Sequence, residues 1–190
     1  MLKNVPKIIS PELLKTLCEM GHGDEIVIAD GNFPAETFGK RVIRADGIGG
    51  AAMLEAVLSL IPLDTYSNPN MILMQLMQCD EGKIDPVIWK EYEKIAEKHD
   101  KNVKIGNIDR FAFYERAKTA FAVIATGEEA VYANIILKKG DKAGLLTFSD
   151  KAGALIKADN RRLQLNSISE ALYSQQTYYL ESDFEQLCVT

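Results

Sequence analysis

Two titratable groups bracket a short apolar run near the N-terminus. His22 stands between glycines in Gly21-His22-Gly23, and Asp30 directly follows Ile26-Val27-Ile28-Ala29. Flanking glycines clear side chains from both sides of His22 and let a partner approach its backbone. An imidazole can give or take a proton near neutral pH. An aspartate closing an apolar strand sits where open α/β sheets bind ligands, beyond the carboxyl ends of the strands. A simple turn before Gly31 accounts for it equally well. A four-residue strand rises about 13 Å, so folding back of the flanking loops would bring His22 and Asp30 toward one pocket. The chemistry this pair suggests is proton transfer on a polar ligand.

Further polar residues could join them. Arg110 and Tyr114 are four apart and share a helix face. They either flank an aromatic packing surface or offer donors to a ligand. Tyr132 and Asn134 alternate along an expected strand and therefore face one side. Asn134 is the odder of the two, because a buried amide needs partners and a hydroxyl-rich ligand would supply them. Asp64, ahead of Thr65-Tyr66, reads as a loop cap or as a site carboxylate. Asp24 and Glu25 lie beside His22, yet no second histidine is suitably spaced for a metal site. The Gly-rich nucleotide fingerprint, the P-loop and the nucleophile elbow are all missing. Asp46-Gly47-Ile48-Gly49-Gly50 reads as a flexible entry turn to a helix. His99, in Glu97-Lys98-His99-Asp100, reads as a solvated residue at a helix end.

The elements that must position these groups follow from the apolar spacing. Ser10 caps a helix with Pro11 in its first turn, and Gly21 is placed to end it in a left-handed conformation. Strand 25–29 comes next, then a turn-rich loop over 30–40 and a second strand from Arg41. A helix spans 51–61 and stops at Pro62. Met71–Met77 reads as a buried strand, although its methionines also fit a helical stripe. Asp85 and Pro86 open an amphipathic helix with Ile88, Tyr92, Ile95 and Ala96 on one face. A helix over 110–118 and strands 121–126 and 131–137 complete a layered α/β domain.

Bulk composition narrows the function classes. Of 190 residues, 47% are apolar and 26% charged, which allows one sizeable core. The net charge of −5, with no basic block, excludes an electrostatic nucleic-acid footprint. Cys18, Cys79 and Cys188 are scattered, which argues against a disulfide framework or zinc site and suggests a reducing cytoplasm. The N-terminus lacks a signal peptide's apolar core, and no run approaches the ~18 apolar residues of a membrane span. Residues 141–190 read differently, as a connector followed by helical pieces at 161–174 and 183–188. The division expected is therefore a domain over 1–140 and a small, mostly helical extension over 141–190.

Several strings in order resemble the L-fucose mutarotases. They are Ile9-Ser-Pro-Glu-Leu-Leu, Met20-Gly-His-Gly-Asp-Glu-Ile-Val, Ala29-Asp-Gly-Asn-Phe-Pro, Ile43-Arg-Ala-Asp-Gly, Pro62-Leu-Asp-Thr-Tyr, Arg110-Phe-Ala-Phe-Tyr-Glu-Arg-Ala-Lys, Ala120-Phe-Ala-Val-Ile-Ala-Thr-Gly-Glu and Asn134-Ile-Ile-Leu-Lys-Lys-Gly. The D-ribose pyranases of the same superfamily resemble the chain less well over the Arg110 helix. One departure points their way: Tyr132-Ala133-Asn134 stands where fucose enzymes usually carry Tyr-Gly-Asn. The resemblance implies a compact α/β sandwich of the ribose pyranase/fucose mutarotase type that forms rings, often decamers, with the pocket near subunit boundaries. It implies L-fucose as substrate, no cofactor and no metal. His22 would be the proton donor, with Tyr114 and Asp64 assisting catalysis, and Asp30, Arg110, Tyr132, Ala133 and Asn134 would bind the sugar. The competing readings are a D-ribose pyranase and a non-catalytic sugar-binding regulatory module. For the latter, Asn160–Thr190 resembles the opening of a DeoR-type helix-turn-helix. It lacks a recognition helix, so major-groove reading is not expected, and the five Lys/Arg against seven Asp/Glu of residues 141–190 speak against DNA.

Overall fold

The computed structural model describes residues 2–141 and the backbone of 146–149 and 153–156. The chain divides into two units, Met1–Asp141 and Lys142–Thr190. In the first, the elements run α1 (Pro11–Glu19), β1 (Glu25–Ala29), α2 (Ala35–Phe38), β2 (Val42–Ala45), α3 (Gly50–Leu58), β3 (Met71–Met74), α4 (Val87–His99), β4 (Ile105–Ile108), α5 (Arg110–Thr119), β5 (Ala122–Thr126) and β6 (Ile135–Lys138).

Six strands form one sheet in the order β2-β5-β1-β6-β3-β4. β1 is parallel to β5, β5 to β2, and β3 to β4. β6 alone runs against its neighbours, with Val27 opposite Ile136 and Ile72 opposite Ile136 on its other side. The carboxyl ends of the other five strands therefore share one edge of the sheet, together with the start of β6.

Burial on both faces explains the near-continuous apolar strands. Ile26, Ile28, Ile124, Ile135, Leu137, Met71 and Leu73 pack against helices on one face, with Leu13, Leu54, Val57 and Tyr92. Val27, Ala29, Val123, Ile72, Met74 and Ile136 pack on the other, against Phe33, Phe113 and Ala117. The alternation along each strand assigns successive residues to opposite layers.

Local expectations differ from the structure at several points. α1 ends at Met20 in an extended conformation, so Gly21 is not its left-handed stop. Gly23 takes the left-handed conformation instead, at φ +84°, and its N–H donates to the Lys139 carbonyl. Asp85 does not cap α4; Pro86 occupies the cap position, and no side chain caps the helix there. His99 is only 19% exposed and its Nε2 lies 2.9 Å from Glu55 Oε1, because α4 packs along α3. In the second unit, β7 (Leu146–Ser149) and β8 (Gly153–Ile156) pair antiparallel, in a stretch for which no element was expected. The helices expected at 161–174 and 183–188 lie outside the described residues.

Candidate functional site

A cavity of about 200 Å³ opens at the carboxyl edge of the sheet. Asp30 follows β1, Met74 ends β3, Arg110 opens α5 after β4, and Asn134 precedes β6; all four line it, with Asn32, Phe33, Tyr114, Val131 and Tyr132. At the floor, Asp30 and Asn134 form a reciprocal pair. The Asp30 N–H donates to Asn134 Oδ1 at 2.9 Å. Asn134 Nδ2 donates to Asp30 Oδ2 at 2.6 Å. The Asn32 N–H donates to the second carboxylate oxygen at 3.0 Å. Burial raises the Asp30 pKa, opposed by the amides of Asn32 and Asn134 and by backbone N–H groups of Ala133 and Phe33.

The wall is aromatic. The Tyr114 ring stacks on Phe38 at 4.7 Å and meets Phe33 edge-on at 5.5 Å between centroids. Its hydroxyl accepts a 2.7 Å hydrogen bond from Arg110 Nε. The helical spacing of Arg110 and Tyr114 thus produces a directly bonded pair at the cavity mouth. Tyr132 and Asn134 do not lie on a strand as expected, since β6 begins only at Ile135. Tyr132 has φ +58°, a left-handed conformation that costs a bulky residue about 1–3 kcal/mol. That kink lets both side chains reach the cavity. Trp89 Nε1 and Tyr92 Oη from α4 donate to the carbonyls of Tyr132 and Ala133, at 2.8 and 3.1 Å, and hold the turn. Ala133, expected to bind the sugar, is fully buried in the core and is not among the residues that line the cavity.

His22 stands elsewhere. It precedes β1, so within one chain it lies at the opposite edge of the sheet from Asp30, and the loops do not fold back to join them. Its Nε2 is 3.2 Å from Asp64 Oδ1 and its Nδ1 is 3.2 Å from Asp141 Oδ2. The His22 side chain is 39% exposed, whereas that of Asp64 is 4% exposed. Asp64 accepts from Ser67 Oγ at 2.5 Å and from the Tyr66 N–H at 3.0 Å, with Lys138 Nζ 3.8 Å away. The Ser67 hydroxyl, then the Tyr66 amide and His22, hold its carboxyl at about 2, against the opposing effect of burial. Asp64 is thus both a loop cap and a fixed negative partner of the imidazole. Tyr66, 84% exposed, places its ring 5.9 Å from that of His22. Among the described residues, no group of three or more His, Cys, Asp or Glu is placed to hold a metal ion.

Sequence reasoning passed over Asn32, Phe33, Met74 and Val131 as lining residues. Only Phe33 carried a signal, as a large apolar side chain inside a turn.

Fold and site together define an α/β protein with a small polar ligand cavity at the carboxyl edge of its sheet. The chain belongs to the RbsD / FucU transport protein family, whose model matches residues 3–141. It is 52% identical over 143 residues to a fucose mutarotase of Mus musculus, covering 73% of this chain and 94% of that protein. Among solved structures it is similar to FucU from Bifidobacterium longum, at 54% identity and a TM-score of 0.70, covering 73% of this chain and 98% of that one. It is also similar to the fucose mutarotase of Streptococcus pneumoniae solved in complex with L-fucose, at 47% identity and a TM-score of 0.69, covering 74% and 99%.

Proposed function

We propose that this protein interconverts the α- and β-anomers of L-fucose, binding the sugar in the Asp30–Asn134 cavity. Relatives named as fucose mutarotases, matched over nearly their whole length, support the reaction. The observation that carries the site is the Asp30–Asn134 pair. A buried carboxylate and amide that bond each other and still face a cavity offer directed partners to a polyhydroxylated ring. The volume lies below the roughly 300–1,000 Å³ of drug-sized sites, as suits a single sugar ring.

The reaction needs only proton transfers and the reversible cleavage of one C–O bond. The anomeric hydroxyl loses its proton while the ring oxygen gains one, and the bond from C1 to the ring oxygen breaks. The open-chain aldehyde turns about C1–C2, and closure reverses each transfer on the other face. At the mouth Arg110 donates to the sugar hydroxyls, Tyr114 bonds them through its hydroxyl, and Tyr132 accepts from them. His22 supplies the acid–base group. Since it stands at the far edge of its own sheet, it acts in the cavity of a neighbouring copy. Its exposure, and that of Tyr66 beside it, suit contact with the cavity rim of that copy, where Phe111 is 68% exposed. A ring assembly, with ten copies as the inferred size, brings the two edges together. Exposed free thiols at Cys18 and Cys79 support a cytoplasmic location, and no described helix is long and apolar enough to cross a membrane.

Subunit mixing tests the site. H22A and D30A proteins, each inactive alone, regain activity when co-refolded in equal amounts, because about one site in four then pairs an intact His22 edge with an intact Asp30 cavity. A site contained within one chain regains nothing.

D-ribose is the second substrate to compare, because Tyr132-Ala133-Asn134 has the ribose-pyranase form. Pyranose–furanose exchange shares the open-chain intermediate.

A further inference from the structure

Tyr132 is gripped at both ends. Its carbonyl accepts from Trp89 Nε1, and its hydroxyl reaches the segment after β3. There it donates to Asp80 Oδ2 at 2.5 Å and accepts a long 3.4 Å contact from the Met77 N–H. The segment itself is firm. The Asp80 and Glu81 N–H groups both donate to the Met77 carbonyl, at 2.9 and 3.2 Å, and the Ile84 N–H donates to the Asp80 carbonyl at 3.1 Å. Met77 Sδ also lies 3.7 Å from Arg110 Nη1, so one turn contacts two cavity residues.

We propose that Asp80 is a positioning residue that fixes the Tyr132 hydroxyl as a hydrogen-bond acceptor toward the sugar. This rests on the mutarotase reading above. A phenol has one proton to give. A carboxylate at short range takes it, in a charge-assisted bond stronger than any a sugar hydroxyl offers. With its proton on Asp80 and one lone pair taken by the Met77 N–H, what the hydroxyl retains for a ligand in the cavity that Tyr132 lines is its second lone pair. The sugar group meeting it must be a hydroxyl that donates, and an ether or fluorine there finds no donor. The bond also stops the ring from swinging out on its kinked backbone. Consistent with this contact, Asp80 holds the Tyr132 hydroxyl pKa above the usual phenol value.

The test is a double-mutant cycle on D80A and Y132F, read as L-fucose anomer exchange and as L-fucose affinity from protein NMR shifts. Asp80 lies on an outer turn, and the Trp89 and Tyr92 bonds keep the Tyr132 backbone in place without it. D80A is expected to lower kcat/KM about tenfold or more, with D80E recovering part and the isosteric D80N falling between. In the Y132F background, D80A changes rate and affinity less than twofold. Two results would overturn the role: D80A within twofold of the native protein, or the same loss with and without the Tyr132 hydroxyl. A native protein that leaves fucose exchange at its spontaneous rate instead removes the mutarotase reading beneath it. A native protein that accelerates exchange, with D80A equally fast, removes only Asp80.

Discussion

Replacing His22 with alanine lowers catalysed L-fucose anomer exchange by about 10²–10⁴-fold, the range for losing a positioned acid–base group. Sugar affinity changes little, because the cavity proposed to hold the ring is built from other residues at the other edge of the sheet. Each His22 ring nitrogen faces a carboxylate oxygen at 3.2 Å, one from Asp64 and one from Asp141. The two anchors differ. Asp64 is buried, bonded by Ser67 and Tyr66, and stays ionised through the neutral range. Asp141 is half exposed and can yield its place to a substrate atom. The imidazole is thus oriented from one side and open on the other, as proton transfer requires. The measurement is exchange NMR over a range of fucose concentrations, separating turnover from affinity. A loss below threefold in turnover would remove His22 from the chemistry.

The second large effect belongs to Asn134. N134L keeps the number and branching of the side-chain heavy atoms and removes both halves of the pairing with Asp30. It leaves the Asp30 N–H without its acceptor and the carboxylate without its 2.6 Å donor, in a buried setting. An orphaned buried amide costs about 1–3 kcal/mol, and a hydrogen bond to a charged group is worth about 1.5–3 kcal/mol. A net loss of about 3 kcal/mol lowers the melting temperature by roughly 10 °C for a domain of this size. With one of its opposing donors gone, Asp30 is driven further toward the protonated form that burial favours. Fucose binding then falls steeply, and the loss grows as pH is lowered, because the carboxylate population shrinks first. Thermal melts and fucose titrations between pH 5 and pH 8 read both effects. A variant as stable as the native protein, with native affinity, would show that the pair is not the floor of the sugar site.

What could be read in the sequence was what local pattern encodes. The apolar runs of β1, β3 and β5 stood out because those strands are covered on both faces. The edge strand β4 did not, since Ile105-Gly106-Asn107-Ile108 lacks such a run and is only partly buried. α2 has four residues and no side-chain cap, too little for a periodic signal. Each polar site residue had a local reason for notice, but their grouping is a matter of topology. Asp30 and Asn134 are 104 positions apart and meet because β6 runs against β1. The same pairing puts Asp141 beside His22 and parts His22 from Asp30. Counting the rise of one strand measured that separation, and only the sheet showed that no loop closes it. The Tyr132 kink was invisible because an apolar run follows directly and reads as one continuous strand. Asp80 carried no signal, since its partner lies 52 residues away.

The proposed reaction is the exchange of the α- and β-anomers of L-fucose. Exchange NMR of the anomeric protons of L-fucose, with and without the protein and with D-ribose as comparator, tests it most directly. Faster exchange between the α and β signals of L-fucose, proportional to protein concentration, is the expected result. Exchange at the spontaneous rate for L-fucose would contradict it, and acceleration confined to the pyranose and furanose forms of D-ribose would assign the site to that sugar instead.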